Sequence, residues 1–244
     1  MSHVARVTAA PPASRAGSSG AVLATIGVLV VIALIGHFGP RHSMLVGGPL
    51  GAVLLVLLGH FGGLRAEAMG LGRRSWRRGA AYAAVCVAVV VAMYAVAVQM
   101  PATRSAFHDQ RYPADIGSAL VTAFVVVPFG TVLFEEVAFR GVLWALVCSR
   151  HGAAPATVVS SLMFGFWHVL PSLRLNRVNP AVADVVGSGA GGQALAVAGA
   201  VVFTALAGVL LCELRRRSGS LLAPFGLHWA VNGLGVLVSG SVAR

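Results

Sequence analysis

The chain has 244 residues, of which 57% are hydrophobic and only 10% charged, with a mean hydropathy of +0.85. An average soluble domain carries about 25% charged residues, so this composition excludes an ordinary soluble globule and indicates a polytopic membrane protein. The net charge of +11 comes from arginine alone; those arginines are scattered between apolar runs, which argues against a nucleic-acid surface and suits topology signals and anionic lipid headgroups.

Arginine without lysine, beside abundant Ala, Gly and Val, resembles GC-rich codon usage and points to a bacterial source. Residues 1–20, rich in Ala, Ser, Pro and Gly, read as a flexible cytoplasmic tail. The run 21–38 is long enough to span a bilayer, which takes about 20 residues, and more spans follow it. It is therefore read as an uncleaved first helix and not as a signal peptide.

A second apolar run covers 44–62 and a third 79–99. Between them, LRAEAMGLGRRSWRR (64–78) is basic and carries Trp76, a composition suited to the cytoplasmic interface. Residues 21–110 thus form an N-terminal set of membrane helices, and 111–244 a second region. The run 116–149 is too long for one upright helix; Pro128 predicts a kink, or a division into a span and a re-entrant piece. Further runs occupy 153–170, 193–213 and 220–239, giving about seven spans, or eight if the long run divides. The runs are continuous and not alternating, so the expected fold class is an all-α integral-membrane bundle. Residues 171–192, with Pro171, Asn176, Asn179, Pro180, Asp184 and GSGAGG, read as a mobile loop. No internal repeat is visible, which weighs against an inverted-repeat transporter.

Seven spans place Arg6, Arg15, five arginines in 65–78, Arg150 and Arg215 to Arg217 on one side. Arg41, Arg104, Arg111, Arg174, Arg177 and Arg244 fall on the other. The excess predicts a cell-membrane protein with a cytoplasmic N-terminus. Cys86, Cys148 and Cys212 are odd in number and lack CxxC spacing, so they read as small core residues.

Inside the long apolar run, TVLFEEVAFRGVLW (131–144) holds Glu135, Glu136 and Arg140. A charge at mid-bilayer costs about 2.5–3.5 kcal/mol on insertion scales and normally has a partner. Glu136 and Arg140 are four apart and share a helix face; Glu135 points elsewhere and has no local partner. Few other strongly polar groups lie in apolar runs, and they occur in FGFWHVL, with Phe164 and His168, and FGLHWAVNG, with His228 and Asn232. If the chain reverses near 151, Glu135 and His168 lie equally far from the turn and meet at one depth. A glutamate with a histidine can deprotonate a water, and a second histidine with an asparagine can stabilise an oxyanion. The same Glu135, His168 and His228 could instead bind zinc, although HExxH spacing is absent. A structural role for each polar residue is the remaining reading.

The ordered succession EEVAFR, FGFWH and HWAVN resembles the CPBP family of type II CAAX prenyl endopeptidases, their bacterial relatives and bacteriocin-immunity (Abi) proteins. Its pattern is EExxxR, FxxxH and HxxxN on membrane helices, and the resemblance spans about 115–240. It implies an intramembrane protease acting on a membrane-associated peptide or protein. It makes Glu135 the base, acting with His168 on water, and His228 with Asn232 the oxyanion site. Glu136 and Arg140 would support the site, and Phe164 would shape the pocket. A metal-free mechanism without cofactor is preferred over a zinc protease; a non-proteolytic immunity or scaffolding protein is the rival class.

Overall fold

The computed structural model describes residues 19–40, 42–113 and 115–242, and contains only helices and turns among them. The expected N-terminal tail, and Arg6, Arg15, Arg41 and Arg244, lie outside the described residues. Six helices are long and apolar enough to cross a membrane, or seven if one bent pair counts as a single span. In hydrocarbon each backbone amide must be satisfied within its own segment, so uninterrupted apolar sequence adopts helix. The exterior is correspondingly apolar: Leu23, Phe61, Val85 and Phe203 are exposed, as lipid-facing side chains are.

Helices α1 (Ser19–Phe38) and α2 (Met44–Phe61) form a hairpin. One face of α2 carries Gly48, Gly51 and Gly59, all buried. A Cβ on Gly51 would come within 2.8 Å of the Phe134 ring. Small residues let helices approach closely in a membrane, and here they seat α2 against Phe134. Helix α3 (Trp76–Ala97) packs along the last helix of the chain.

Helix α4 spans Ile116–His151 as one run of 36 residues. It neither divides nor re-enters, contrary to that alternative from the sequence. Asp115 caps it, accepting from Ser118 N–H at 2.8 Å. Three π-helical stretches, Thr122–Val126, Pro128–Val132 and Glu136–Leu143, interrupt its α geometry. Pro128 opens the second, where the altered hydrogen-bond register absorbs its missing N–H.

The chain reverses at Gly152, whose φ of +83° favours glycine. Helix α5 (Ala153–Trp167) then runs to His168 and bends by 40° into α6 (Val169–Val178). Helix α7 (Pro180–Val186) follows, capped by Asn179 Oδ1, which accepts from Val182 N–H. The segment expected to be a mobile loop is therefore largely helical, because Pro180 suits a first helical position and Asn179 a cap. Helices α8 (Ala190–Ser218) and α9 (Leu222–Ser241) complete the bundle, α8 lying along α5.

Cross-links sort the connections into two ends. At one end Arg150 Nη1 donates to Ser19 Oγ at 3.3 Å, Arg215 Nη2 to the Ala68 carbonyl at 2.7 Å, and Leu221 N–H to the Gly70 carbonyl at 3.0 Å. Gly70 has φ +77°, and a Cβ there would strike Arg215 Nε at 2.4 Å. At the other end Gln110 N–H donates to the Val178 carbonyl at 2.9 Å. Asn179 Nδ2 reaches the Ala106 carbonyl and Asp109 Oδ2, both at 3.2 Å. Arg111 also grips Asp109, with Nη2 at 2.7 Å from Oδ2.

Burial raises the proton affinity of the Asp109 carboxyl, but hydrogen bonds from the Arg111 side chain and backbone and from Asn179 outweigh it and hold the pKa below the ordinary value. A depressed folded-state pKa stabilises the clasp above the unfolded value of about 3.9, and this stabilisation is lost as pH falls through the folded value. Hydrogen exchange at the Gln110 amide should therefore stay slow at neutral pH and accelerate below about pH 4; acceleration on raising the pH, after correction for intrinsic exchange, would contradict the assignment.

Candidate active site

The membrane interior concentrates its polar groups on α4, the α5–α6 bend and α9. Glu135, Glu136, Arg140 and His228 are all buried, Arg140 completely. Arg140 Nη1 donates to Glu136 Oε1 at 3.0 Å, the pairing expected from their spacing. His228 Nδ1 lies 2.7 Å from the same oxygen. Since a carboxylate only accepts, this contact places the proton on Nδ1 and ties α9 to α4. The sequence had given Glu136 a partner in Arg140 alone.

Glu135 is held differently. Its Oε1 accepts from Trp167 Nε1–H at 2.9 Å, and its Oε2 stands 3.6 Å from His228 Nε2, just beyond a hydrogen bond. Trp167 is the residue that sequence reading missed. It adjoins His168 in FGFWH, but an indole in an apolar helix is ordinarily packing, and only the bend at His168 reveals its direction. His228 sits between both glutamates.

Phe164 is the hub of the cluster. Its ring centroid lies 4.7 Å from that of His168 and 5.7 Å from that of His228. The Arg140 guanidinium lies 3.9 Å from the same ring, a close cation–π contact. Phe164 also supplies its carbonyl to His168 Nδ1 at 2.8 Å. That bond places the proton on Nδ1 and leaves Nε2 as the acceptor nitrogen. No direct hydrogen bond joins His168 to Glu135 among the described residues; the two face adjoining cavities.

One cavity, of about 220 Å³, is bounded by Glu135, Trp167, Thr131 and the α1 residues Ile32 and His37. The other, of about 740 Å³, is bounded by His168, Asn232, Thr131, Arg111 and Phe203. Thr131 and Pro171 belong to both walls, so the cavity at Glu135 adjoins the one at His168 and Asn232 across these two residues. A separate hollow of about 300 Å³ touches Glu136 from the side of Trp76 and Leu221.

Three carbonyls in π-helical stretches, two in α4 and one in a further stretch of α9, Ala230–Leu234, accept from side chains on neighbouring helices. Tyr94 OH donates to the Val231 carbonyl at 2.7 Å, Trp229 Nε1 to Ala123 at 2.8 Å and Ser160 Oγ to Phe139 at 2.8 Å. These bonds pin the stretches that carry Asn232 and the Glu136–Arg140 pair.

Among the described residues no group of three or more His, Cys, Asp or Glu side chains is arranged to hold a metal ion. His168 Nδ1 is taken by a carbonyl and His228 Nδ1 by Glu136, which leaves Nε2 of each ring open.

A buried carboxylate–histidine cluster beside a deep recess, set in a helical membrane bundle, is an arrangement suited to hydrolysis within the bilayer. Residues 117–234, which contain all three motifs, match the family model described as type II CAAX prenyl endopeptidase Rce1-like. That part of the chain is similar to this family, and the apolar helices make the protein a multi-pass membrane protein. Neither the curated proteins nor the solved structures contain a match.

Removing one member of a buried ion pair strands the other and costs about 3–5 kcal/mol. Arg140→Ala should therefore lower the thermal unfolding temperature in detergent strongly. Arg140→Lys should fall between it and the wild type, because lysine restores charge but not the planar contact over Phe164. Equal stability of all three proteins would remove the network from its structural role.

Proposed function

We propose that the protein is an intramembrane endopeptidase that cleaves a peptide bond of a membrane-associated protein or peptide, with Glu135 as general base. The observation that carries this reading is the suspension of Glu135: one oxygen is fixed by Trp167 and the other is turned to His228 beside the recess. A water there loses its proton to Glu135 as its oxygen attacks the carbonyl carbon. His168 Nε2, left as an acceptor by the Phe164 contact, orients that water from the adjoining cavity wall.

The carbonyl oxygen becomes an oxyanion as the tetrahedral intermediate forms. Asn232 on the recess wall offers an amide N–H to it, and His228 offers Nε2–H when the ring is protonated. Glu136, on Nδ1, balances that imidazolium charge while Glu135 holds the proton taken from water. Collapse of the intermediate breaks the C–N bond, and Glu135 returns its proton to the leaving amine.

Loss of a general base typically removes two to four orders of magnitude of rate, or about 10²–10⁴-fold. Glu135→Gln should abolish the generation of cleavage fragments, compared between membrane proteomes of wild-type and variant cells, while leaving thermal unfolding nearly unchanged. Full activity in the variant would end the glutamate mechanism, and identical fragment sets would favour the scaffolding role. Purified wild-type protein should keep its activity after chelation; stoichiometric zinc tied to activity would overturn the metal-free reading.

A further inference from the structure

We propose that Thr131 is a further catalytic residue, its hydroxyl holding the attacking water between Glu135 and His168. This role rests on the protease reading above and supplies a group that unites two residues facing different cavities. Glu135 borders the smaller cavity with Trp167, and His168 borders the larger one with Asn232. A water that touches both must lie where the two cavities adjoin. Thr131 and Pro171 are the residues common to both walls. A proline side chain offers neither donor nor acceptor, so Thr131 carries the polar side chain at that junction.

Helix geometry sets Thr131 there. Thr131 and Glu135 are four residues apart on α4 and share a helix face, and both line the smaller cavity. Thr131 lies outside the three motifs and is half-buried. A threonine in a helix ordinarily turns its hydroxyl back to a carbonyl of the preceding turn. Thr25 does so to Ala21 at 2.8 Å, and Thr204 to Ala200 at 2.7 Å. The Thr131 hydroxyl makes no hydrogen bond among the described residues, and it is not sealed in the packing. A polar group left unmet in a membrane interior is costly. Beside a carboxylate and a histidine, the partner it awaits is one that arrives with the reaction.

A water molecule has two protons to donate and two lone pairs. One O–H points to Glu135, which takes that proton as the new bond forms. The other points to His168 Nε2, free to accept because the Phe164 carbonyl holds Nδ1. Thr131 O–H donates to one lone pair, and the remaining lone pair is directed at the carbonyl carbon. It forms the C–O bond, while the carbonyl π pair moves to the substrate oxygen. With three of its four directions fixed, the water meets the carbonyl in one orientation, which is the entropic advantage of a positioned nucleophile.

Thr131→Val keeps the shape of the side chain and removes the hydroxyl. Because that hydroxyl has no partner in the fold, the variant should unfold in detergent at the wild-type temperature. The rate at which Glu135-dependent fragments appear in cell membranes, at equal protein level, should fall roughly 10- to 100-fold. Thr131→Ser, which restores an O–H, should recover most of that loss. Wild-type rates in Thr131→Val, or equal losses in the valine and serine variants, overturn the proposal. So does a marked fall in the unfolding temperature of Thr131→Val, which would place the hydroxyl in a structural bond. Fragments that Glu135→Gln leaves unchanged would sink the protease reading and the role of Thr131 with it. Fragments that depend on Glu135 and ignore Thr131→Val would sink the role of Thr131 alone.

Discussion

One carboxylate oxygen organises the interior of this protein. Glu136 Oε1 accepts from Arg140 on its own helix and lies 2.7 Å from His228 Nδ1 on the last helix. A bare charge at this depth would be costly, so the three groups are stable there only together. The Arg140 guanidinium presses on the Phe164 ring, and that ring touches both histidines. The ion pair thus sets the distance between α4, α5 and α9 and, with it, the geometry around Glu135.

Backbone irregularity is the second constraint. The i→i+5 bonding of π-helical turns shifts backbone carbonyls out of the regular α register. The π-helical stretches of α4 and α9 present carbonyls to Ser160, Trp229 and Tyr94. Such irregularities frequently mark functional sites. The break at His168 works in the same direction: by leaving the helix there, the chain aims Trp167 at Glu135 while His168 faces the larger cavity.

The surroundings of the site are asymmetric. Glycines on α2 seat that helix against Phe134, and Met69, Leu71 and Leu221 pack beneath the site on the arginine-rich side. On the opposite side, the short helices after His168 and the clasp of Asp109, Arg111 and Asn179 frame the large cavity without filling it.

Much of this was legible in the chain itself. Apolar runs too long and too poor in charge for a soluble core can only be membrane helices, because lipid forces each segment to satisfy its own amides. The i, i+4 spacing of Glu136 and Arg140 determined their pairing, since it is local to one helix. The isolation of Glu135, His168, His228 and Asn232 among apolar residues marked them as candidates before any fold was known. Tertiary structure decided what depends on approach between distant segments. It bonded Trp167 to Glu135 across 32 residues of chain and His228 to Glu136 across 92, contacts that no periodicity encodes. It also turned the expected loop at 171–192 into helices and kept the run through Pro128 as one span, because neighbouring side chains and altered turns accommodate the backbone there. Sequence named the chemical groups; packing chose which atoms face one another.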